Sequence, residues 1–201
     1  MMSSSPGFHV PMVVSLCAAL IACSSRTQAA AAPPVAAASE PVSPARADSS
    51  VAADSVLWLQ VDSAGSTASL DLLVTRKPGA PLALINGYRS GEARIIIPVG
   101  WTVKWKWQST DSTAPHSLVV MVQREKIPLE GGRASFSNAM TRMVTEGLRP
   151  GQTDQSTFEA EEAGWYWMMC GVPGHALEGE WLELRVDPEV KTARVEIKKK
   201  P

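Results

Sequence analysis

Three side chains in this sequence have the types and the spacing to hold a redox metal: His116, Cys170 and His175. Histidine is scarce, with three in 201 residues, and His9 lies in an apolar N-terminal segment, so the remainder of the chain carries two. Each stands beside Pro or Gly, in Ala114-Pro115-His116-Ser117 and in Cys170-Gly171-Val172-Pro173-Gly174-His175. Two imidazoles with one thiolate form the trigonal donor set of mononuclear copper sites; soft thiolate suits Cu(I), imidazole accepts Cu(II), and one rigid site serves both states. Singly, each residue reads as a core thiol or a satisfied loop histidine. Together they predict one copper ion.

The cysteine count agrees. Cys17 and Cys23 fall in the N-terminal segment, which leaves Cys170 alone. Residues 10–23 are apolar apart from Ser15 and Pro11, the length of a signal-peptide core and too short to span a bilayer. The segment ends Leu20-Ile21-Ala22-Cys23-Ser24, a lipobox pattern in which the Cys23 thiol takes a lipid; Ser24 after it favours the outer membrane. The first 22 residues carry no Lys or Arg, unlike an ordinary signal n-region, so export with cleavage near the alanines at 29–32 stands as the alternative. Either way the chain is expected to be exported, to the periplasm or the outer cell surface. An idle thiol is disfavoured in an oxidising compartment, and a metal-bound thiolate is not idle.

These residues need a scaffold. Residues 24–54 are rich in Ala, Pro and Ser without apolar periodicity, and read as a disordered linker between a signal segment (1–23) and a domain (55–201). From residue 56 the texture changes to short alternating runs between turn residues. Strands are expected at 56–62, 68–75, 83–88, 93–98, 101–108, 117–123, 156–161, 164–170, 180–186 and 193–198. The clearest places Trp101, Val103, Trp105 and Trp107 on one face and Thr102, Lys104, Lys106 and Gln108 on the other. Many short strands at this spacing predict an all-β sandwich. Residues 134–148, with Met140 and Met143, are left as a short helix or a long loop. His116 then comes from a neighbouring strand, while Gly171, Pro173, Gly174 and Gly179 allow a tight loop from Cys170 to His175.

Asn86-Gly87-Tyr88, Ile97-Pro98-x-Gly100-Trp101-x-Val103, Pro115-His116-Ser117, Gly147-Leu148-x-Pro150-Gly151-Gln152, Gly164-x-Tyr166 and Cys170-Gly-Val-Pro-Gly-His-Ala176 resemble the sulfocyanins, blue-copper proteins of the cupredoxin superfamily. The resemblance covers roughly residues 82–187. It implies a cupredoxin-type Greek-key sandwich and single-electron transfer in respiratory chains outside the cytoplasmic membrane, with cytochrome- or oxidase-type redox partners. There is one departure. The family pattern His-Ala-x-x-Gly-Met-Trp reads here His175-Ala176-Leu177-Glu178-Gly179-Glu180-Trp181, which puts Glu180 at the axial position. A thioether is soft and neutral, whereas a carboxylate is hard, anionic and favours Cu(II). Ligation by Glu180 implies a lowered potential and a colour other than blue, as in the red-copper nitrosocyanins. The alternative is that Glu180 points away and the site is three-coordinate or takes a water. Met168 and Met169 are poor substitutes, because they precede Cys170 on its own strand. Ser117 is a candidate hydrogen-bond donor to the Cys170 sulfur, unless backbone satisfies its hydroxyl. Val172, Pro173, Ala176 and Leu177 would ring the His175 edge with apolar surface.

Composition narrows the rest. A net charge of −1 gives no field towards nucleic acid, and the Lys198-Lys199-Lys200 run reads as a solvated tail. Nothing signals an oligomer, so a monomer is expected. There is no Ser-His-Asp set and no phosphate-binding glycine loop, and no histidine remains for acid–base catalysis. An electron carrier is therefore the leading reading. A copper site reacting with a small molecule such as nitric oxide, or a copper- or zinc-holding module, are the alternatives.

Overall fold

Ten strands form in the computed structural model, which describes residues 56–198, all within the unit Asp48–Pro201. The expected signal segment, Cys23, the Ala/Pro/Ser linker and residues 199–201 lie outside the described residues. The strands are β1 (Leu59–Asp62), β2 (Thr67–Thr75), β3 (Leu84–Ile85), β4 (Ala93–Pro98), β5 (Thr102–Ser109), β6 (Val119–Val122), β7 (Thr153–Glu159), β8 (Gly164–Met169), β9 (Trp181–Asp187) and β10 (Arg194–Ile197). No helix occurs among the described residues.

Two sheets result. One has the order β1-β2-β5-β7 with β3 on the free end of β2, and the other the order β10-β4-β9-β8-β6. The β2/β5 and β4/β9 pairs are parallel and the rest antiparallel, so the chain passes repeatedly between sheets. The inner face of β5 carries Val103, Trp105 and Trp107, as the alternation predicts, and all three are buried. They meet Leu70, Leu72 and Val74 of β2, Ile95 and Ile97 of β4, and Leu182, Leu184 and Val186 of β9 in one core. Trp105 packs edge-on against Phe158 at 5.5 Å, and Phe136 stacks on Phe158 at 5.3 Å.

Each expected strand is present, but several ends move for identifiable reasons. β3 shrinks to two residues because Asn86, at φ +50°, turns the chain, and its side chain bridges Leu73 N–H and the Asp71 carbonyl. β7 begins at Thr153, earlier than alternation indicates, because its polar residues still pair with β5 as far as Gln108. β6 starts only at Val119, because His116 exchanges backbone hydrogen bonds with Leu148, and Leu118 accepts from Thr141 N–H and donates to the Thr141 hydroxyl instead. Residues 134–148 form no helix. They run as a loop along β6, held by Ser135 N–H to Val120 O, Val120 N–H to Ala139 O and Thr141 N–H to Leu118 O.

That loop explains why β8 is buried on both faces. Tyr166 and Met168 point into the main core. Trp167 and Met169 point the other way, into a second cluster with Val119 and Ala176, against which Ile127, Val144 and Trp181 pack. Cys170, immediately after β8, is thus roofed by chain on both sides and fully buried. Met168 and Met169 are both committed to packing.

Candidate metal centre

The segment from Cys170 to Glu180 is closed into a ring by its own backbone. Cys170 N–H donates to Glu180 O at 3.0 Å, Glu180 N–H to His175 O at 3.0 Å, and His175 N–H to Val172 O at 3.2 Å. Gly174 N–H ties the ring to Leu129 O at 2.7 Å. Two glycines make the closure possible. Gly179 sits at φ +103°, a region side-chain-bearing residues avoid, and Gly171 lies so close to Val144 and Gly131 that a β-carbon has no room. The ring carries three donors, and His116 is brought to it by its paired hydrogen bonds with Leu148 (N–H to O 3.1 Å and the reverse 2.7 Å).

His116, Cys170, His175 and Glu180 each offer one ligand atom, and these atoms all lie within 4.8 Å of one another. Cys170 Sγ is 3.5 Å from His175 Nδ1. Glu180 lies 2.8 Å (Oε1) and 2.9 Å (Oε2) from His116 Nδ1, and its Oε2 is 3.2 Å from His175 Nδ1. Donors about 2.0–2.3 Å from a common ion stand roughly 3–4.5 Å apart, so this convergence fits a single metal. His116 and Cys170 have no exposed surface, Glu180 is 4% exposed, and the His175 side chain, at 16%, is the donor that reaches the surface. Glu180, expected at the axial position or pointing away, points in.

Burial and charge act against each other here. Burial pushes the Cys170 thiol well up and the Glu180 charge adds to this, outweighing the N–H groups of Ser117 and Val172. Burial also pushes Glu180 up, but hydrogen bonds and charge from His116 and His175 reverse it and leave the carboxyl below its ordinary value. Burial lowers His116, but Glu180 and then Asp111 overcome it, so this imidazole holds its proton above its ordinary 6.5.

Ser117 lies at the sulfur with both groups, its backbone N–H nearer than its hydroxyl. Its backbone N–H points to Cys170 Sγ at 3.4 Å, while its hydroxyl is 3.9 Å away. The hydroxyl instead donates to Val144 O at 2.6 Å and accepts from Gly171 N–H at 2.9 Å, stitching three loops together. Of the apolar residues expected around His175, Leu177 is 59% exposed and Pro173 is exposed, but Ala176 is buried in the second cluster and is no part of the rim. Sequence reasoning missed Asp111, whose Oδ2 lies 2.9 Å from His116 Nε2. Its five-residue distance from His116 was visible, but it sits in Ser109-Thr110-Asp111-Ser112-Thr113, which reads as an ordinary turn.

A two-sheet sandwich carrying this buried His-Cys-His cluster at one strand end defines a cupredoxin-type copper protein. Residues 54–195 match the sequence model described as the Sulfocyanin (SoxE) domain, and the chain belongs to that family. It is 30% identical over 129 residues to the sulfocyanin of Sulfolobus acidocaldarius, an alignment that covers 61% of this chain and 64% of that protein, slightly under two thirds of its length. Among solved structures, rusticyanin from Thiobacillus ferrooxidans is similar with a TM-score of 0.47 at 19% identity, covering 66% of this chain and 89% of that one. A reduced rusticyanin gives 0.45 at 18%, covering 66% and 91%. The cofactor is one copper ion, and the donor set suits it: one soft thiolate, two imidazoles and a carboxylate.

Proposed function

We propose that this protein carries single electrons, with copper held by His116, Cys170 and His175 and with Glu180 as the fourth donor. The observation that supports this is the convergence of four donors in a site sealed except at the His175 edge. Bound copper supplies the Cu(I)/Cu(II) couple. The chain's own contribution is rigidity. The hydrogen-bonded ring and the Ser117 stitches fix the donors, so little rearrangement accompanies the change of oxidation state. The Ser117 N–H towards the sulfur withdraws charge from it, while the Glu180 carboxylate favours Cu(II). The exposed edge of His175, beside Leu177 and Pro173, is where a redox partner of cytochrome or oxidase type would dock briefly. The lipobox at Cys23 favours an exported, lipid-anchored carrier, and loss of fatty-acid labelling in Cys23→Ala cells would check it.

One feature favours a second reading. Glu180 stands where the family pattern has Met, and a hard carboxylate that favours Cu(II) suits a site where a small molecule such as nitric oxide reacts at an open coordination position. The same four donors also fit tetrahedral Zn²⁺.

The optical and EPR spectra of the Cu(II)-loaded protein beside Glu180→Met separate these readings. A red or green wild type that turns blue with Met, and that cycles between oxidation states without losing metal, is the expected result. An intense blue wild type unchanged by the substitution removes Glu180 from the ligand set. Absence of a thiolate-to-copper band in both proteins overturns the copper carrier itself.

A further inference from the structure

Asp111 is a buried carboxylate, 2% exposed, that is not itself among the four donors. Four donors hold it. Thr113 gives its N–H (2.8 Å) and hydroxyl (2.6 Å) to Oδ1, and Arg76 Nε (2.7 Å) and His116 Nε2 (2.9 Å) reach Oδ2. Arg76 is itself anchored, through Nη1 to Pro81 O at 2.9 Å. The carboxylate is therefore unable to turn from the ring, and the buried ring is unable to flip without breaking its contacts to both Asp111 and Glu180.

From this geometry we infer that Asp111, braced by Arg76, is a positioning residue for the metal centre: it keeps the proton of His116 on Nε2, leaves Nδ1 as the donor facing Cys170 and Glu180, and sets how strongly that donor favours Cu(II). The inference rests on His116 being a copper ligand, as proposed above. A carboxylate accepting the far N–H of a ligating histidine raises the ring's basicity, and losing such a partner typically costs about 10- to 100-fold in metal affinity. Arg76 works in the opposite sense. Its cation shares the same oxygen, draws charge from it and so moderates the donation. Asp111 and Arg76 thus form an opposed pair behind one ligand, a tuning element separate from the axial Glu180.

The test uses the full chain as wild type, Asp111→Asn, Arg76→Gln and His116→Gly. Asn keeps an acceptor oxygen and removes the charge. Three quantities are read: Cu(II) affinity, midpoint potential, and the His116 Nε2 proton by NMR of the ¹⁵N-histidine-labelled Cu(I) protein. The wild type is expected to show a downfield, slowly exchanging Nε2 proton. Asp111→Asn should move that proton upfield, weaken Cu(II) binding by about 10- to 100-fold and raise the potential, whereas Arg76→Gln should lower the potential. Opposite signs are the signature, since a merely structural clamp would shift both variants the same way. Potentials that move together or not at all, or a wild-type ring protonated on Nδ1, overturn the inference. Should Asp111→Asn fail to fold, the wild-type proton and the Arg76→Gln potential still decide. A copper spectrum that survives His116→Gly unchanged would instead sink the ligand reading beneath it.

Discussion

His116 meets a carboxylate at each ring nitrogen, and this arrangement governs how the metal-free centre titrates. Its folded pKa is raised, so its contribution to stability is fully present below 6.5 and is lost as pH rises through the folded value. Glu180 is lowered, so its contribution is present above 4.5 and is lost as pH falls through the folded value. The two overlap between 4.5 and 6.5, where metal-free protein is expected to be most resistant to urea, and Glu180→Gln should flatten that maximum. Copper reverses the preference. With copper on the proposed donors, loading must displace protons from His116 and from the Cys170 thiol, which burial and Glu180 keep protonated. Apparent Cu(II) affinity should therefore rise with pH, about tenfold per unit for each proton released, and competition titrations in weakly buffered solution will count those protons. His116, Cys170 and His175 were legible in the sequence because rare residue types beside Pro and Gly stand out. Asp111 was not legible, since an aspartate in a Ser/Thr-rich turn is common and its contact with His116 exists only once the turn is folded against β5. For Ser117 the contact with the sulfur was legible, but the nearer approach of its backbone N–H was not, since the hydroxyl is turned towards Val144 O.

Strands and loops were legible to different degrees. Alternation was plain in β2, β5 and β9, which are half-buried, while apolar runs between turn residues marked β4, β6 and β8, which are buried more fully. Their ends depended on pairing that alternation does not encode, as at β7, whose polar start is held by β5. Residues 134–148 carried no period at all, because this loop satisfies its backbone partly along β6 and partly in isolated turns of its own, such as Ala139 N–H to Phe136 O and Gly147 N–H to Met143 O. Two predictions belong here. Trp105, 2% exposed, fills the core between the sheets and packs on Phe158 of the neighbouring β7, and Trp105→Ala should cost about 3–5 kcal/mol in denaturant unfolding. Gly179→Ala places a β-carbon at φ +103° and against Ser90, a strain of about 1–3 kcal/mol that falls on the ring. Because Glu180 follows directly, this substitution should alter the Cu(II) spectrum more than Trp105→Ala does, although the lesion in the core is larger.

Across the whole molecule, metal and fold are linked by mass action. An ion that binds only the folded chain raises unfolding free energy by about 2.7 kcal/mol at a free concentration one hundred times its Kd. Calorimetry should show Tm rising with added copper, and Cys170→Ser should remove most of the rise. The increment will be smaller than affinity alone indicates, for a reason built into the ring. Cys170, His175 and Glu180 lie within one short stretch of chain, while His116 is more than fifty residues away and reaches them only through its pairing with Leu148. A denatured chain consequently keeps three of the proposed donors on one short segment, without the hydrogen-bonded ring that orders them. For the proposed site, part of the grip on copper is therefore local to that segment, and the share owed to His116 and to the ordering of the ring is reserved for the native state. A peptide spanning the ring should hold Cu(I) measurably by itself, and a newly made chain can take up its ion before the sandwich closes around it.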